Sequence, residues 1–393
     1  MKNIFVCFKD LQTSPEKLLP FLKEGSINKF KRFFNADEQT NQNLADYNSM
    51  DESEQKLFRI WKITLNDDVD SENVLKTLKG LDFIEYAHFA NKYILQPKDP
   101  MVEKQWYLKH IEADKAWNIT QGEGDIVVAV VDSGVDYNHR DLSENMWKSP
   151  KTGTCGYNIT EDNDDPMDTI GHGTHVAGII GAVINNNIDI AGIAKVKIMA
   201  VKAYGGKNDD PEEYEGNLIL ALRWAADHGA KIINNSWGPI DRSGNHSTLK
   251  ATLHSIAKKN IICVFSSGND YMNIDSVFPG TSEEDIIIVS DSNKQDKKAD
   301  DSNIGDTVTI VAPGESIYSL ALNNGVPYPM NGTSYAAPIV SGAIALLLSK
   351  SPNIKLKEIK KQLRLSADKI GKIGFNDDTG RLNIHKLLLT QIP

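Results

Sequence analysis

IVVAVVDSGVD, residues 126–136, opens on six apolar residues with no polar face and closes on an acid, a Ser-Gly-Val turn and a second acid. A run apolar on both sides suits a strand buried inside a parallel sheet, whereas a half-exposed strand would alternate. Five further runs repeat the pattern: KIMAVKAY at 197–204, KIINNS at 231–236, IICVFSS at 261–267, DIIIVS at 285–290 and TVTIVA at 307–312. Helical patterns lie between them, including 217–228 and 248–259. The expected fold class is α/β, a doubly wound, mostly parallel sheet with helices on both faces. Such sheets carry ligands and chemistry beyond the carboxyl ends of their strands, so the residues just after each run are the first candidates.

Upstream the pattern changes. KNIFVCF, a helical TSPEKLLPFLKEG, a polar acidic stretch at 35–55, FRIWKITL, a helical SENVLKTLKG and FIEYAHFANKYIL read as a small α+β domain. QPKDP at 96–100 has two prolines and no periodicity, so the expected domains are 1–97 and 98–393. The 393 residues and net charge of -10 suit a large acidic globular chain, and without a basic stripe nucleic acid is not an expected partner. No run approaches the roughly 18 apolar residues of a membrane span, so membrane insertion is not expected. The apolar run at the N-terminus is shorter than a secretory h-region, and Cys7, Cys155 and Cys263 lie far apart without a CxxC. Together these predict a cytoplasmic location, or export by a non-standard route.

Asp132 follows the first buried run, His172 opens GHGTHVAG at 171–178, and Ser334 sits in NGTSYAAP at 331–338, a small-residue turn entering an apolar helix. Singly, each has a plainer reading: a turn former, a structural histidine, a helix cap. His175 lies three residues after His172, but no GluXXHis pattern makes that pair a metal site. A serine hydroxyl becomes a nucleophile only when a base takes its proton, and the base needs a carboxylate to orient it. The chain supplies these in the order Asp, His, Ser, which separates it from the orders of chymotrypsin and the α/β-hydrolases.

DSGVDYNHRDL at 132–142, GHGTHVAG and NGTSYAAP resemble the three active-site segments of the subtilisin-like (S8) serine proteases, and NNSWG at 234–238 and SSGND at 266–270 extend the likeness from about Asp99 to the C-terminus. The resemblance implies a serine endopeptidase with Asp132, His172 and Ser334 as its triad and Asn269 as a donor to the oxyanion. It implies that protein or peptide substrates pair along Ser236, Trp237 and Gly238 on one side and Ser266, Ser267 and Gly268 on the other. Asp270 would lie at the rim of the S1 pocket, and with the acidic NDDPEEYEG at 208–216 it predicts a preference for Lys or Arg upstream of the cut. Tyr335 stands where many family members carry methionine. VINNNIDIAG at 183–192 resembles the family's calcium loop, implying a structural Ca²⁺ held by Asp99, Asn158, Val183, Asn186, Ile188 and Ile190; EDNDDPMD at 161–168 is a second candidate. No organic cofactor is expected. The first domain resembles a subtilisin propeptide, which implies a self-processing zymogen whose own N-terminal part is an intramolecular inhibitor, with cleavage between Asn91 and Asp99. A catalytically silent fold should lack one of the four site residues, and a peptide cyclase should carry an added lid; the sequence has neither feature.

Overall fold

The structure is a computed structural model in which residues 2–32, 51–90, 99–122, 124–207, 210–238, 246–275, 285–370 and 379–390 are described. The chain divides into two units, Met1–Tyr93 and Ile94–Pro393. In the first, β1 (Asn3–Phe8), β2 (Ile27–Arg32), β3 (Ile60–Leu65) and β4 (Ile84–Phe89) form one sheet in the order β2-β3-β1-β4. The helix Ser71–Lys79 starts where the Asp70 side chain accepts from the Asn73 amide (3.2 Å), and its Val74, Leu75 and Leu78 pack on Ile4, Val6, Phe8, Ile63 and Leu65. β2 has no counterpart among the expected elements. Its sequence, INKFKR, carries the lysines and arginine that keep an edge strand from pairing further, at the expense of a clear apolar alternation. The expected helix at 13–25 is a short 3-10 helix, Pro15–Phe21, because Pro20 cannot donate an α-helical amide bond. The greater part of the acidic insert and the 91–98 segment with its expected cleavage region lie outside the described residues.

The second unit is built on seven parallel strands: β5 (Val127–Asp132), β6 (Gly156–Asn158), β7 (Lys197–Lys202), β8 (Ile232–Asn235), β9 (Ile262–Ser266), β10 (Ile286–Ser292) and β11 (Ile310–Pro313). Their order is β11-β10-β9-β8-β5-β7-β6, and a two-stranded antiparallel pair, β12 (Ile317–Ser319) and β13 (Tyr328–Met330), stands apart. Period-2 alternation assigns the faces. Val128, Val130, Ile198, Ala200, Ile232 and Val264 point to the helices His172–Gly181 and Thr333–Lys350. Ala129, Val131, Met199, Val201, Ile233 and Phe265 point to the helices Tyr214–Asp227 and Ser247–Lys258 on the opposite face. Thr333–Lys350 is apolar nearly all round because its whole circumference is covered.

The chain leaves β5 toward β6 and β7 on one side and continues through β8 to β11 on the other, so the strand order reverses at β5 and β8. A doubly wound sheet opens its crevice at that point, and Asp132 and Ser236 emerge there. The three-residue strand β6 was not expected from the sequence. It pairs closely with β7 because Gly156 has no side chain; a Cβ there would fall 1.6 Å from the Ala200 carbonyl oxygen.

Candidate active site

Asp132, the last residue of β5, is fully buried. Its Oδ1 accepts from His172 Nδ1, the Ser133 amide and the Tyr204 hydroxyl, each at 2.7 Å, while Oδ2 has no partner. A carboxylate at Nδ1 fixes the neutral imidazole with its proton there and leaves the Nε2 lone pair for proton transfer. Burial alone would lower the pKa of His172, but the charge and hydrogen bond of Asp132, helped by Asp168, carry it above the ordinary histidine value. Burial and Asp132 push the Tyr204 phenol far up, so it remains a donor.

The His172 helix is held at its start by Asp168. One oxygen accepts from the Ser133 hydroxyl and the Ile170 and Gly171 amides, all at 2.9 Å; the other accepts from the Thr174 amide (2.9 Å) and hydroxyl (2.7 Å). This carboxylate satisfies amides that a helix start leaves without partners. It belongs to the 161–168 acidic run that sequence reading offered as a second calcium site. His175, one turn on, is buried between the rings of Tyr335 (4.8 Å) and Tyr328 (5.3 Å), and burial holds its pKa down at about 4.

Ser334 enters the Thr333–Lys350 helix from Gly332. Its hydroxyl donates to the Ser236 carbonyl (3.0 Å), and the Ser236 hydroxyl donates back to the Ser334 carbonyl (2.7 Å). Ser341 and Asn234 continue that chain beneath it, Ser341 Oγ to Asn234 Oδ1 at 2.8 Å and Asn234 Nδ2 to Ser236 Oγ at 3.0 Å. Among the described residues, Ser334 and His172 make no direct hydrogen bond; bonds of this type tighten only when substrate is bound. Asn269 is oriented by Thr333, whose amide (2.9 Å) and hydroxyl (2.8 Å) both donate to its Oδ1. The amide nitrogen therefore faces the Ser334 turn. Gly332, at φ +129°, leaves the room: a Cβ there would sit 3.0 Å from Asn269 Nδ2.

Ser236–Gly238 leave β8 and Ser266–Gly268 leave β9, and these two strands are neighbours. Trp237 serves the core as well as the edge, since its indole donates to the Val131 carbonyl (3.0 Å) and its ring meets Phe265 edge-on. Ser266 and Ser267 are buried, whereas Asn269 and Asp270 are exposed. In the acidic 208–216 run, Asp210, Glu212, Glu213 and Glu215 are exposed, and Asn208 and Asp209 lie outside the described residues.

The 183–190 loop gathers part of the expected calcium set. Buried Asp99 accepts from the amides of Asn185 (2.9 Å), Asn186 (3.0 Å) and Asn187 (3.1 Å). Asn158 is not drawn in. It ends β6 against Lys202 of β7, and its Oδ1 caps the following turn through Thr160 Oγ1 (2.8 Å) and the Glu161 amide (3.2 Å). The carboxylate at the loop is Asp141, which sequence reading missed although it stands inside DSGVDYNHRDL. It is fully buried, accepts from Asn186 Nδ2 (2.6 Å) and the Ile190 amide (3.1 Å), and receives the Val183 amide on its own carbonyl (2.9 Å). Burial raises its pKa to about 7, with Asp189 and Asp99 adding to the rise. Two buried carboxylates, Asp99 and Asp141, thus meet at this loop with the Asn186 side chain, whose Oδ1 accepts from the Ile188 amide (2.7 Å), and carboxylate oxygens of this kind suit a hard cation.

A family model described as "Subtilase family" matches residues 123–381. A thermophilic serine proteinase of Bacillus sp. (strain AK1) is 34% identical over 316 residues, covering 79% of this chain and 74% of that protein. A halolysin-like extracellular serine protease of Natrialba magadii is 31% identical over 324 residues, 81% of this chain and 58% of that protein. Among solved structures, a protease from Pseudoalteromonas arctica superposes with a TM-score of 0.62 at 24% identity, covering 75% of this chain and 98% of that one, a likeness of fold. The cytoplasmic location read from the sequence is corrected here. The Natrialba relative is named extracellular and a Bacillus subtilis relative is named cell wall-associated, and both point away from the cytoplasm. Cysteine usage misled because Cys7, Cys155 and Cys263 are all buried thiols, sheltered from either redox environment. Among the described residues, no helix is long and apolar enough to cross a membrane. Sheet order, site geometry and the match over 123–381 lead to one conclusion: this chain belongs to the subtilase family and is a subtilisin-like serine endopeptidase.

Proposed function

We propose that Ser334, His172, Asp132 and Asn269 carry the hydrolysis. His172 Nε2 takes the Ser334 proton as Oγ attacks the scissile carbonyl, and the developing oxyanion receives the Asn269 amide at the positive end of the Thr333–Lys350 helix. His172 then returns the proton to the leaving amine, and water, deprotonated by the same nitrogen, releases the acyl group from Ser334. The observation that carries this reading is the Asp132–His172 bond of 2.7 Å, set beside an Asn269 amide that Thr333 holds toward the Ser334 turn. Substrate would add as an extended strand between Ser236–Gly238 and Ser266–Gly268, and the exposed acids Asp270, Asp210, Glu212, Glu213 and Glu215 favour basic residues upstream of the cut.

The N-terminal unit has its own sheet and core, which supports its role as a propeptide, a template and inhibitor removed by cleavage between Asn91 and Asp99. A structural Ca²⁺ would be held by Asp99, Asp141, the Asn186 side chain and backbone carbonyls at Val183, Ile188 and Ile190, joining the start of the catalytic unit to its body. The test is a fluorophosphonate probe with a peptide library on wild type and Ser334→Ala. Wild type should trim itself and then label, and Ser334→Ala should do neither. Labelling of the alanine variant, or its trimming with no other protease present, would refute the assignment.

A further inference from the structure

Of the four residues proposed to carry the hydrolysis, Asn269 is the one that lies on a loop, past the carboxyl end of β9. The other three sit at a strand end or a helix start. A loop holds its shape less firmly than the elements it joins, and this one turns through two left-handed residues, Gly268 at φ +95° and Tyr271 at φ +53°. A tyrosine keeps that conformation only where its surroundings fix it. Asn269, Asp270 and Tyr271 are exposed, so the loop must be held by its backbone. Thr333 holds one side: besides aiming the Asn269 side chain, its hydroxyl accepts the Gly268 amide (3.1 Å).

The other side is held by Asn303, which is 3% exposed and stands 33 residues beyond Asp270 in the chain. Its Oδ1 accepts from the amides of Asp270 and Met272, both at 3.0 Å, and its Nδ2 donates to the Ser267 carbonyl (2.9 Å). Its own backbone amide donates to the Gly268 carbonyl (3.0 Å). The carbonyl before Asn269 and the amide after it are thus both tied to one residue. Asn303 is in turn anchored to the sheet, its carbonyl accepting from the Ser290 hydroxyl of β10 (2.8 Å). Its neighbours add to the grip: the Asp301 carbonyl accepts the Tyr271 amide (3.0 Å), and the Ile304 amide donates to the Met272 carbonyl (2.9 Å). The approach is close enough that a Cβ on Gly268 would lie 2.6 Å from Asn303 Nδ2.

The chemistry of the side chain suits this task. Two amide donors against Oδ1 and a carbonyl against Nδ2 admit one orientation of the Asn303 amide, and asparagine offers acceptor and donor in one short plane. Aspartate has the same shape without the donor, and alanine has neither. From this geometry we infer that Asn303 is a positioning residue for the reaction: it clamps the peptide groups on both sides of Asn269 and so fixes where the amide meets the oxyanion. Through Ser267 and Gly268 it also steadies the edge proposed to pair with substrate. The inference rests on the reading of Asn269 as the oxyanion donor. Such a donor works only if it is in place before charge develops, and a displacement of about 1 Å costs on the order of 10²-fold in rate.

The experiment is a double-mutant cycle on the full chain. Asn303→Asp and Asn303→Ala are each made in wild type and in Asn269→Ala, and kcat and KM are measured on one peptide, per folded molecule as judged by near-UV circular dichroism. In wild type, Asn303→Asp sets a carboxylate oxygen against the Ser267 carbonyl and Asn303→Ala releases all three side-chain bonds. Each should lower kcat by about tenfold or more, with a smaller change in KM. In Asn269→Ala the same changes should lower kcat by less than about threefold, because the donor that they position is gone. A residue that served stability alone would lower kcat by the same factor in both backgrounds, and that result overturns the inference. So does an unaltered kcat in both Asn303 variants of wild type. Should Asn303→Ala fail to fold, the Asn303→Asp pair, equal in size to the native side chain, decides the question by itself. If Asn269→Ala alone keeps the wild-type kcat, the oxyanion reading is the one that fails, and the catalytic role of Asn303 falls with it; equal losses on top of a low Asn269→Ala kcat fault the clamp and leave the oxyanion reading standing.

Discussion

Asp132 Oδ1 carries three hydrogen bonds, and the one from Tyr204 has a measurable consequence. His172 must be neutral to accept the serine proton, so kcat/KM rises with pH through its pKa. Removing the phenol proton leaves more of the Asp132 charge for His172 Nδ1–H and favours the imidazolium. Tyr204→Phe should therefore move the acidic limb of the kcat/KM profile to higher pH, with a smaller change at its plateau. The other groups facing the imidazole, Asp168, His175 and Tyr335, are unaltered in this variant. A limb that stays in place would reduce Tyr204 to a packing residue. Asn269→Ala should lower kcat by about 10²–10³-fold, the loss known for the corresponding donor of subtilisin itself, with KM changing much less. Steady-state kinetics on one peptide series separates the two constants. Tyr204 was legible in part, since it stands just past a buried strand; its contact with Asp132 was not, because 72 residues separate them in the chain.

At the scale of elements, the His172 helix works by closeness to β5. A Cβ on Gly173 would lie 2.0 Å from the Gly134 carbonyl oxygen and 3.1 Å from Asp132 Cβ. Gly173→Ala must push the helix off the strand, and a displacement of about 1 Å at reacting groups costs on the order of 10²-fold in rate. The expected result is a loss of that size in kcat/KM with a folded far-UV spectrum; full activity would show that the helix yields elsewhere. The strands at 126–131, 261–267 and 285–290 were readable because burial on both faces makes their central positions apolar, with polar residues only at the ends. β2 and β6 were not, since a charged edge strand and a three-residue strand carry no apolar run of useful length. Asp168 was read only as part of a second calcium candidate because its five hydrogen bonds form only when the 161–168 turn folds against the His172 helix.

Across the whole molecule, Asp99 and Asp141 meet at the 183–190 loop, and a cation there would tie together segments that the sequence keeps 87 and 45 residues from Asn186. If the proposed calcium binds the folded chain alone, it stabilises by about 2.7 kcal/mol at a free concentration one hundred times its Kd. Heating Ser334→Ala, which cannot digest itself, with calcium and with a chelator should give a melting temperature several degrees lower in chelator. Equal values would remove calcium from the proposal. If the proposed self-processing holds, the same variant should keep residues 1–97 attached, and its chain length after purification checks this directly.

What the sequence by itself determined is most of the buried strands, the doubly wound class and the family, and it nominated Asp132, His172, Ser334 and Asn269 for the proposed chemistry, because apolar runs and short motifs are local and their order along the chain is informative. What only the tertiary structure decided is which distant side chains share a space: Tyr204 on Asp132, Asp168 at the start of the His172 helix, and Asp141 in place of Asn158 at the loop. Those contacts arise from strand order and helix packing, which bring together residues with no pattern in common along the chain, and the energy of a buried carboxylate depends on the neighbours that folding alone supplies.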